Sequence, residues 1–240
     1  MRLDVYLCER GFASSRTEAK NFILAGSASV DGKIIKKPAF EVGDENKVEL
    51  DRSSKRYVSR GGIKLEAALD SFDISVNGAL AVDVGASSGG FTDCLLQRGA
   101  AHVIAVDSGT LQLSPSLRAD ERVTSIENYN ARYMQPSDLE YVPNLAVMDV
   151  SFISATYIMP AVYNCICDGG TFVCLIKPQF EVGRKNIGKG GVVKDAKVRD
   201  RALTDTVEFA KNLGFTHMGT ITSPIEGGDG NVEYLAYFKK

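Results

Sequence analysis

Apolar strand candidates alternate with helical stretches through most of this sequence, and this alternation limits the fold more than any other feature. Five candidates are short, mostly apolar runs: Leu80–Val84, Val103–Val106, Val123–Ile126, Leu145–Val150 and Thr171–Ile176. Helical stretches separate most of them, as expected for parallel strands joined by crossover helices. The last two candidates, Phe215–Ile221 and Tyr234–Phe238, have no helix between them. The sequence therefore predicts a doubly wound α/β sheet that closes with an antiparallel pair.

A glycine-rich loop follows the first of these strands. The strand Ala81-Val82-Asp83-Val84 leads into Gly85-Ala86-Ser87-Ser88-Gly89-Gly90-Phe91, and a helix comes next. Glycines let the backbone pass close to a ligand, and the helix N-terminus offers free amides. Asp83 is typical of S-adenosylmethionine sites, where the carboxylate meets the methionine ammonium group directly or through water. Asp107 ends the next strand, where a carboxylate can bind both ribose hydroxyls. The spacing indicates an adenosine-type cofactor, and the antiparallel close of the sheet favours the seven-stranded methyltransferase variant over a nucleotide dehydrogenase.

The same loop also contains G-x-S-x-G, the nucleophile elbow of α/β-hydrolases, with Ser87 as the nucleophile. Asp149 and His217 follow in the chain order of that fold. The architecture disfavours this alternative, because several strands should precede a hydrolase elbow and this loop follows the first strand of the large sheet. No second glycine cluster in the sequence supplies the usual oxyanion loop.

Four charged residues stand at element ends, on the edge of the sheet where α/β active sites form. Lys64 opens the helix after a basic linker. Asp149 and Lys177 each end a strand, and Glu233 precedes the last strand. A charged side chain directly after an apolar strand is costly to bury unless it is paired. One such residue is often a structural ion pair, but two lysines and two carboxylates together indicate a catalytic site.

The chain divides into a small unit at residues 1–50, a polar and basic linker at 51–62 and a larger domain at 63–240. Two short helices, a tight hairpin turn and further β structure are predicted in the small unit. This unit resembles the alpha-L (S4) RNA-binding motif at positions that include Arg2-Leu3-Asp4, Ser15-Arg16, Asp31-Gly32 and Lys37-Pro38. The resemblance implies RNA binding, although the unit carries eight basic and eight acidic residues. A dimerisation or packing module is the alternative role.

Six motifs across nearly the full length resemble those of the TlyA family, whose members are often called haemolysins and are similar to ribosomal RNA methyltransferases of the heat-shock (FtsJ-like) type. They are Ser59-Arg60-Gly61-Gly62-x-Lys64-Leu65, Asp83-Val84-Gly85-Ala86-Ser87-x-Gly89-Gly90-Phe91-Thr92, Asp149-Val150-Ser151-Phe152-Ile153-Ser154, Lys177-Pro178-Gln179-Phe180-Glu181, Lys189-Gly190-Gly191-Val192-Val193 and Gly230-Asn231-x-Glu233. Ser108-Gly109-Thr110 departs from the family pattern on the ribose side of the cofactor. The implied fold is a seven-stranded Rossmann-like, S-adenosylmethionine-dependent methyltransferase preceded by a small α+β S4-like domain.

The resemblance implies methyl transfer from S-adenosylmethionine to a ribose 2′-hydroxyl by a tetrad of Lys64, Asp149, Lys177 and Glu233. Lys177 is expected to act as the base or to steer the oxygen lone pair, with Lys64 and Asp149 tuning it and Glu233 orienting Lys64 or the nucleotide. The expected cofactor residues on the methionine side are Asp83, Gly85, Ala86, Ser87, Gly89 and Phe91. Asp107 is expected at the ribose, and Asn130 at the adenine edge.

The distribution of charge supports an RNA partner despite a net charge of −2. Arg52 to Lys64 contains five basic residues and no acid, and Pro178 to Arg201 contains seven basic residues against three acids. Such a polarised surface attracts a polyanion to one face. Ribosomal RNA or ribosomal subunits are the expected partner, and phosphate contacts are expected from Arg16, Lys20, Lys36, Lys37, Arg56, Arg60, Arg184, Lys185 and Lys189.

Several classes of protein are disfavoured by the same sequence. No apolar run reaches the roughly 18 residues of a membrane span, and no secretory signal opens the chain. Five cysteines without a CxxC pair indicate free thiols in a reducing cytosol, so a cytoplasmic protein is expected. Two histidines make a His-rich metal site improbable, and no metal is expected. A membrane-active haemolysin and a non-catalytic ribosome-binding factor are the alternative functions, and the oligomeric state is left open.

Overall fold

The computed structural model describes residues 1–13, 15–24, 26–50, 56–188, 190–227 and 230–240. The chain forms two compact units, Met1–Arg56 and Tyr57–Lys240. Residues 51–55 of the expected linker lie outside the described residues. Tyr57, which the sequence assigns to the linker, lies in the second unit and is buried in its hydrophobic core.

The first unit packs two helices on a small antiparallel sheet. Its helices are α1 (Leu3–Glu9) and α2 (Arg16–Leu24), and its strands are β1 (Ala28–Val30), β2 (Lys33–Ile34) and β3 (Val48–Leu50), in the order β2-β1-β3. Asp31 and Gly32 join β1 to β2 with left-handed φ angles of 50° and 75°, as a two-residue hairpin turn requires. Leu3, Leu7 and Ile23 are fully buried between the helices and the sheet.

The second unit is built on a seven-stranded sheet in the order β6-β5-β4-β7-β8-β10-β9. Its strands are β4 (Leu80–Val84), β5 (His102–Val106), β6 (Val123–Ile126), β7 (Leu145–Met148), β8 (Thr171–Ile176), β9 (Thr216–Thr222) and β10 (Tyr234–Lys239). The strands β4 to β8 run parallel, and β10 pairs antiparallel with both β8 and β9. The expected seven-stranded sheet with an antiparallel close is confirmed.

Helices cover both faces of this sheet. Successive side chains of a strand point to opposite faces, and here both faces carry apolar side chains that must be buried. The helices are α3 (Gly61–Ser71), α4 (Gly90–Gln97), α5 (Pro115–Arg118), α6 (Met159–Cys165), α7 (Pro178–Glu181) and α8 (Ala196–Leu213). On β7, Leu145 and Val147 join the core that contains residues of α3, α4 and α5. Ala146 and Met148 join the opposite core, which contains residues of α6 and α8. The result is a three-layer sandwich. The carboxyl ends of its parallel strands form the edge at which open α/β sheets usually bind ligands.

Candidate active site

Four strands deliver the expected catalytic and cofactor residues to one edge of the sheet. Gly85 follows β4, Asp107 follows β5, Asp149 follows β7 and Lys177 follows β8. The strand β10 runs the other way, and its first residue Tyr234 pairs with Ile176, the last residue of β8. Glu233, directly before β10, therefore lies at the same edge as Lys177.

The four charged residues form two ion pairs. Lys64 reaches from α3 to Glu233, with 2.5 Å between Nζ and Oε2, and Lys177 lies 2.5 Å from Oδ1 of Asp149. The Lys177 ammonium also donates to Oγ of Ser151 at 2.8 Å. The side chains of both lysines are 10% exposed and that of Glu233 only 2%, so each charge depends on its partner. The side chain of Asp149 is 22% exposed and gives this network an opening to solvent.

A cavity of about 470 Å³ borders this network, within the usual size of a small-molecule site. Gly85 and Ser87 of the glycine loop, Asp107 and Asn130 line it on the cofactor side. The segment Asp149 to Ile153 lines the opposite side. Both partners of the Lys177 side chain, Asp149 and Ser151, therefore lie in the wall of the cavity that would hold a cofactor.

Gly85, which lines this cavity, and Asp83, which is buried behind it, have features that suit a positively charged cofactor. Gly85 has a φ of +83°, and a Cβ there would lie 2.5 Å from the backbone carbonyl oxygen of Asp149. Asp83 is fully buried and accepts hydrogen bonds from the amide and hydroxyl of Thr92 on Oδ2. Its Oδ1 has no hydrogen-bond partner among the described residues. Burial raises the pKa of the Asp83 carboxyl to about 7, the Thr92 hydrogen bonds oppose this shift, and the nearby carboxylates of Asp149 and Asp107 add to it. An ammonium group of a cofactor would supply the missing positive charge, so these residues fit S-adenosylmethionine.

The ribose-side residues are held by backbone hydrogen bonds. The Asp107 carboxylate accepts from the amide of Ser87 and from the amide of Gly109, both at 2.7 Å. Asn130 accepts from the amide of Arg132 at 3.1 Å and begins the 3₁₀ helix Ala131–Tyr133. Ser108-Gly109-Thr110, which departs from the family pattern, thus forms part of the support of Asp107 through Gly109.

Four of the expected cofactor residues do not line the cavity. Asp83, Ala86, Gly89 and Phe91 are buried behind it. Gly89 has a φ of +94° and a Cβ there would clash with Leu117 and Leu113, while Phe91 belongs to the core beside α3. Ala86, Gly89 and Phe91 shape the loop by packing, and their contact with the cofactor stays a prediction.

The structure adds two residues that the reading of the sequence did not assign. Phe152 is 92% exposed, has a φ of +64° and lines the cavity. Asn231 is buried, accepts from the amide of Val193 and donates to the carbonyl of Gly191, both at 3.0 Å. Asn231 therefore ties the Gly190–Val193 motif to the motif of Glu233. Their positions inside the family motifs were the available signal.

The hydrolase alternative fails in the structure. His217 lies near the start of β9 and pairs in register with Phe238, which is in turn opposite Phe172 near the start of β8. Its ring contacts Thr220 and Phe238. His217 is therefore at the opposite edge of the sheet from Ser87, and no Ser-Asp-His triad assembles.

The structure also bears on the membrane and metal predictions. No helix in the described part of the chain is long and apolar enough to cross a membrane. Within the same residues, no cluster of three His, Cys, Asp or Glu side chains is arranged to hold a metal ion.

Most residues expected to bind RNA are exposed in their own unit: Arg16, Lys20, Lys36, Lys37, Arg56 and Lys185. Arg16 is not fully available to RNA, because Nη2 of its guanidinium lies 3.3 Å from Oδ2 of the buried Asp4. Arg60 is half-buried and donates to the carbonyl of Glu226 at 3.1 Å. Lys189 and the side chain of Arg184 lie outside the described residues.

Comparison with known proteins identifies relatives of both units. The model of the FtsJ-like methyltransferase family matches residues 57–240, and that of the S4 domain matches residues 1–48. A 16S/23S rRNA (cytidine-2′-O)-methyltransferase TlyA of Mycobacterium tuberculosis is 44% identical over 239 residues, covering 99% of this chain and 89% of the relative. A solved structure of a protein called a haemolysin from Streptococcus thermophilus is 44% identical, with a TM-score of 0.80 over 100% of this chain and 88% of that one. Aeropyrum pernix fibrillarin, solved with S-adenosylmethionine, shares the fold alone, at 15% identity and a TM-score of 0.53 over 82% of this chain and 80% of that one.

Proposed function

Because the chain belongs to the TlyA family, in which an S4 domain precedes an FtsJ-like methyltransferase domain, we propose that it methylates a ribose 2′-hydroxyl of ribosomal RNA. That the chain is an S-adenosylmethionine-dependent methyltransferase which binds RNA follows from the family itself. The proposal adds the ribose hydroxyl and the ribosomal RNA, which the relative's name specifies for that relative. With ribosomal subunits as its partner, the protein would act in the cytoplasm.

The observation that carries the proposal is the position of Lys177, whose Nζ is paired with Asp149 and donates to Ser151, two residues that line the cavity. A ribose hydroxyl is a poor nucleophile, so its methylation requires in-line placement and a group that manages its proton. S-adenosylmethionine, when bound, supplies a methyl group on a positively charged sulfonium. Nζ of Lys177, in its neutral amine form, would accept the proton of the attacking hydroxyl and become an ammonium, while Asp149 and Ser151 fix the position of that nitrogen.

The remaining residues would bind and orient. Asp83 would face the ammonium group of the cofactor, and Asp107 and Asn130 would hold its ribose and adenine. Glu233 fixes Lys64, whose positive charge would stand near the reacting oxygen and near the RNA phosphate. Lysine side chains are suited to this second role because they neutralise phosphate charge without reading sequence.

Phe152 supports an unpaired nucleotide as the substrate. The left-handed φ of Phe152 strains its backbone, and the exposure of its ring to water is unfavourable. The fold nevertheless holds the ring in this position. The ring lies 5.3 Å from that of Phe180 and beside the cavity. Proteins recognise unpaired bases of RNA by stacking them on such aromatic rings.

The experiment that tests the proposal uses tritiated S-adenosylmethionine and purified ribosomal subunits, with and without the enzyme. Methylated RNA is then cleaved with alkali, because a 2′-O-methyl group blocks cleavage at its nucleotide. Radioactivity in rRNA with one alkali-resistant position supports the proposal. Methylation of a base, or of no rRNA at all, contradicts it.

Variants of Lys177 test its role in the same assay. Lys177→Ala is expected to lower kcat by about 10²- to 10⁴-fold with little change in cofactor affinity, the range of a general base. Lys177→Arg should not restore activity, because a guanidinium stays protonated. Lys211→Ala, a substitution in an exposed ion pair on α8, is the matched control and should keep full activity. Near-normal kcat in a Lys177→Ala protein that melts early would make Lys177 structural.

A further inference from the structure

Two tyrosines near the cavity are exposed, although aromatic rings of this size are usually buried on folding. Tyr133 is 65% exposed and Tyr157 is 55% exposed. Each ends a short 3₁₀ helix, Ala131–Tyr133 and Ala155–Tyr157. A single exposed tyrosine needs no explanation, but two on different elements with a shared neighbour form a surface feature.

That shared neighbour is Arg132. Its guanidinium carbon lies 4.9 Å from the centroid of the Tyr157 ring and 6.0 Å from that of the Tyr133 ring, within the range of a cation–π contact. No carboxylate of the described residues forms an ion pair with it. The positive charge is thus held beside two aromatic rings and stays available to an anion.

The cluster of Arg132, Tyr133 and Tyr157 borders the cofactor cavity. Asn130 and Ala131, directly before Arg132, line the cavity, and so do Ile153 and Ile158 on either side of the second 3₁₀ helix. These neighbours in the chain place the cluster at one side of the cavity.

Hydrogen bonds hold both 3₁₀ helices in place. Asn130 caps the first, and Ser154 caps the second by accepting from the amide of Thr156 at 3.2 Å. The Glu181 carboxylate accepts from the Ser154 hydroxyl at 2.5 Å and from the amide of Ala155 at 2.8 Å. The second helix is therefore anchored to α7, so the backbone that carries Tyr157 is already ordered before a ligand binds.

We propose that Arg132, Tyr133 and Tyr157 form a stacking surface for an unpaired nucleobase that neighbours the methylated nucleotide. The inference rests on the proposed RNA methylation. An aromatic ring stacks on any base, and an arginine stacks as well and neutralises the adjacent phosphate, which is the combination that single-stranded RNA requires.

The first test compares variants in methylation of a protein-free rRNA transcript. Tyr157→Ala and Tyr133→Ala are each expected to lower kcat/KM for RNA by about 5- to 150-fold, the effect of losing one stacked base. Tyr157→Phe and Tyr133→Phe keep the rings and should restore activity. Cofactor affinity, measured by calorimetry, should stay unchanged. Arg132→Ala should reduce the salt slope of RNA binding by about one, whereas the tyrosine variants should not change it.

The second test uses fluorescence, because the chain contains no tryptophan. Tyr157→Trp places a single indole on the proposed surface, and Val142→Trp places one at an exposed position just before the amino end of β7. Titration with the rRNA transcript should quench the first indole by base stacking and leave the second nearly unchanged. Equal or absent quenching in the two proteins overturns the stacking surface.

The two proposals fail in different ways. If the wild-type protein methylates rRNA and the alanine variants match its kcat/KM, the stacking surface is wrong and the methylation stands. If the wild-type protein methylates no rRNA, the proposed function is wrong, and the quenching titration still decides whether these rings contact RNA.

Discussion

Asp83 is a buried carboxylate whose position suits a ligand better than the folded chain alone. One of its oxygens is hydrogen-bonded twice by Thr92, and the other has no partner within the described residues. Desolvation and two nearby carboxylates disfavour its ionised form, so its pKa rises to about 7. A buried carboxylate without a positive partner lowers the stability of the fold, and a bound cation would remove this penalty. Carboxylates with such raised pKa values are common at functional sites.

The pH dependence of stability follows from this shift. Below about pH 4, Asp83 is protonated in both the folded and the unfolded protein, and it has no pH-linked effect. Between about pH 4 and 7 the unfolded chain ionises first, so stability falls as the pH rises; above 7 the full penalty remains. Asp83→Asn removes the charge and is expected to raise the free energy of unfolding at pH 8 by roughly 1 to 4 kcal/mol.

Urea unfolding of both proteins at pH 5 and pH 8 measures this effect. The gain from Asp83→Asn should be larger at pH 8 than at pH 5. Calorimetry should show weaker binding of S-adenosylmethionine to the variant, because the amide cannot balance an ammonium charge. An equal gain at both pH values, or a variant less stable at pH 8, would show that Asp83 ionises as freely in the fold as in water.

At the scale of elements, the loop from β4 to α4 determines both the cofactor cavity and the position of Asp149. The closeness of Gly85 to the carbonyl of Asp149 leaves no space for a side chain. The loop after β4 and the segment after β7 are therefore fitted to each other, and a change in one moves the other.

Gly85→Ala tests this fit. The variant is expected to lose about 1 to 3 kcal/mol of stability through overpacking, in addition to the strain of its left-handed φ. It should also lose methyl transfer by about 10²-fold, because a small displacement of Asp149 disturbs Lys177. Gly78→Ala is the matched control: Gly78 has a φ of +72° and open space around its Cβ position, so it measures the strain alone. Thermal denaturation and the methylation assay of both variants separate the effect of overpacking from the effect of backbone strain. Equal losses in Gly85→Ala and Gly78→Ala would show that Gly85 is not closely fitted to Asp149.

The elements show which features could be predicted from sequence. The strands were predictable because apolar runs and crossover helices are local patterns, and β4, β6 and β8 have the expected bounds. The candidate Leu145–Val150 was too long, because β7 ends at Met148, where the chain turns into the segment that lines the cavity. The partners within the tetrad were predictable only in part, because Glu233 was expected at Lys64 or at the nucleotide. They depend on the insertion of β10 between β8 and β9, which brings Glu233 to Lys64 through contacts far apart in the chain.

At the scale of the molecule, the two units are expected to divide the tasks of the proposed ribosomal RNA methyltransferase. The S4 unit has its own core and its own exposed lysines, while every residue of the tetrad and of the cofactor cavity belongs to the second unit. The exact boundary between the two units matters for any attempt to separate them by truncation. Tyr57 fills the space beside Gly62 and belongs to the core of the second unit, although the sequence pattern assigned it to the linker.

Removal of the first unit is therefore expected to separate the two activities. A protein that begins at Tyr57 should fold and bind S-adenosylmethionine within about 3-fold of the full-length affinity, since its core is intact. The affinity of this protein for ribosomal subunits should fall. The remaining affinity should depend less steeply on salt concentration, because the truncated protein contacts fewer phosphates. A protein that begins at Gly61 lacks Tyr57 and should be less stable by about 3 to 5 kcal/mol, the effect of removing a buried aromatic ring. Melting temperatures, cofactor calorimetry and subunit binding at several salt concentrations measure these outcomes. Full rRNA methylation by the Tyr57–Lys240 protein would show that the S4 unit does not recruit the substrate.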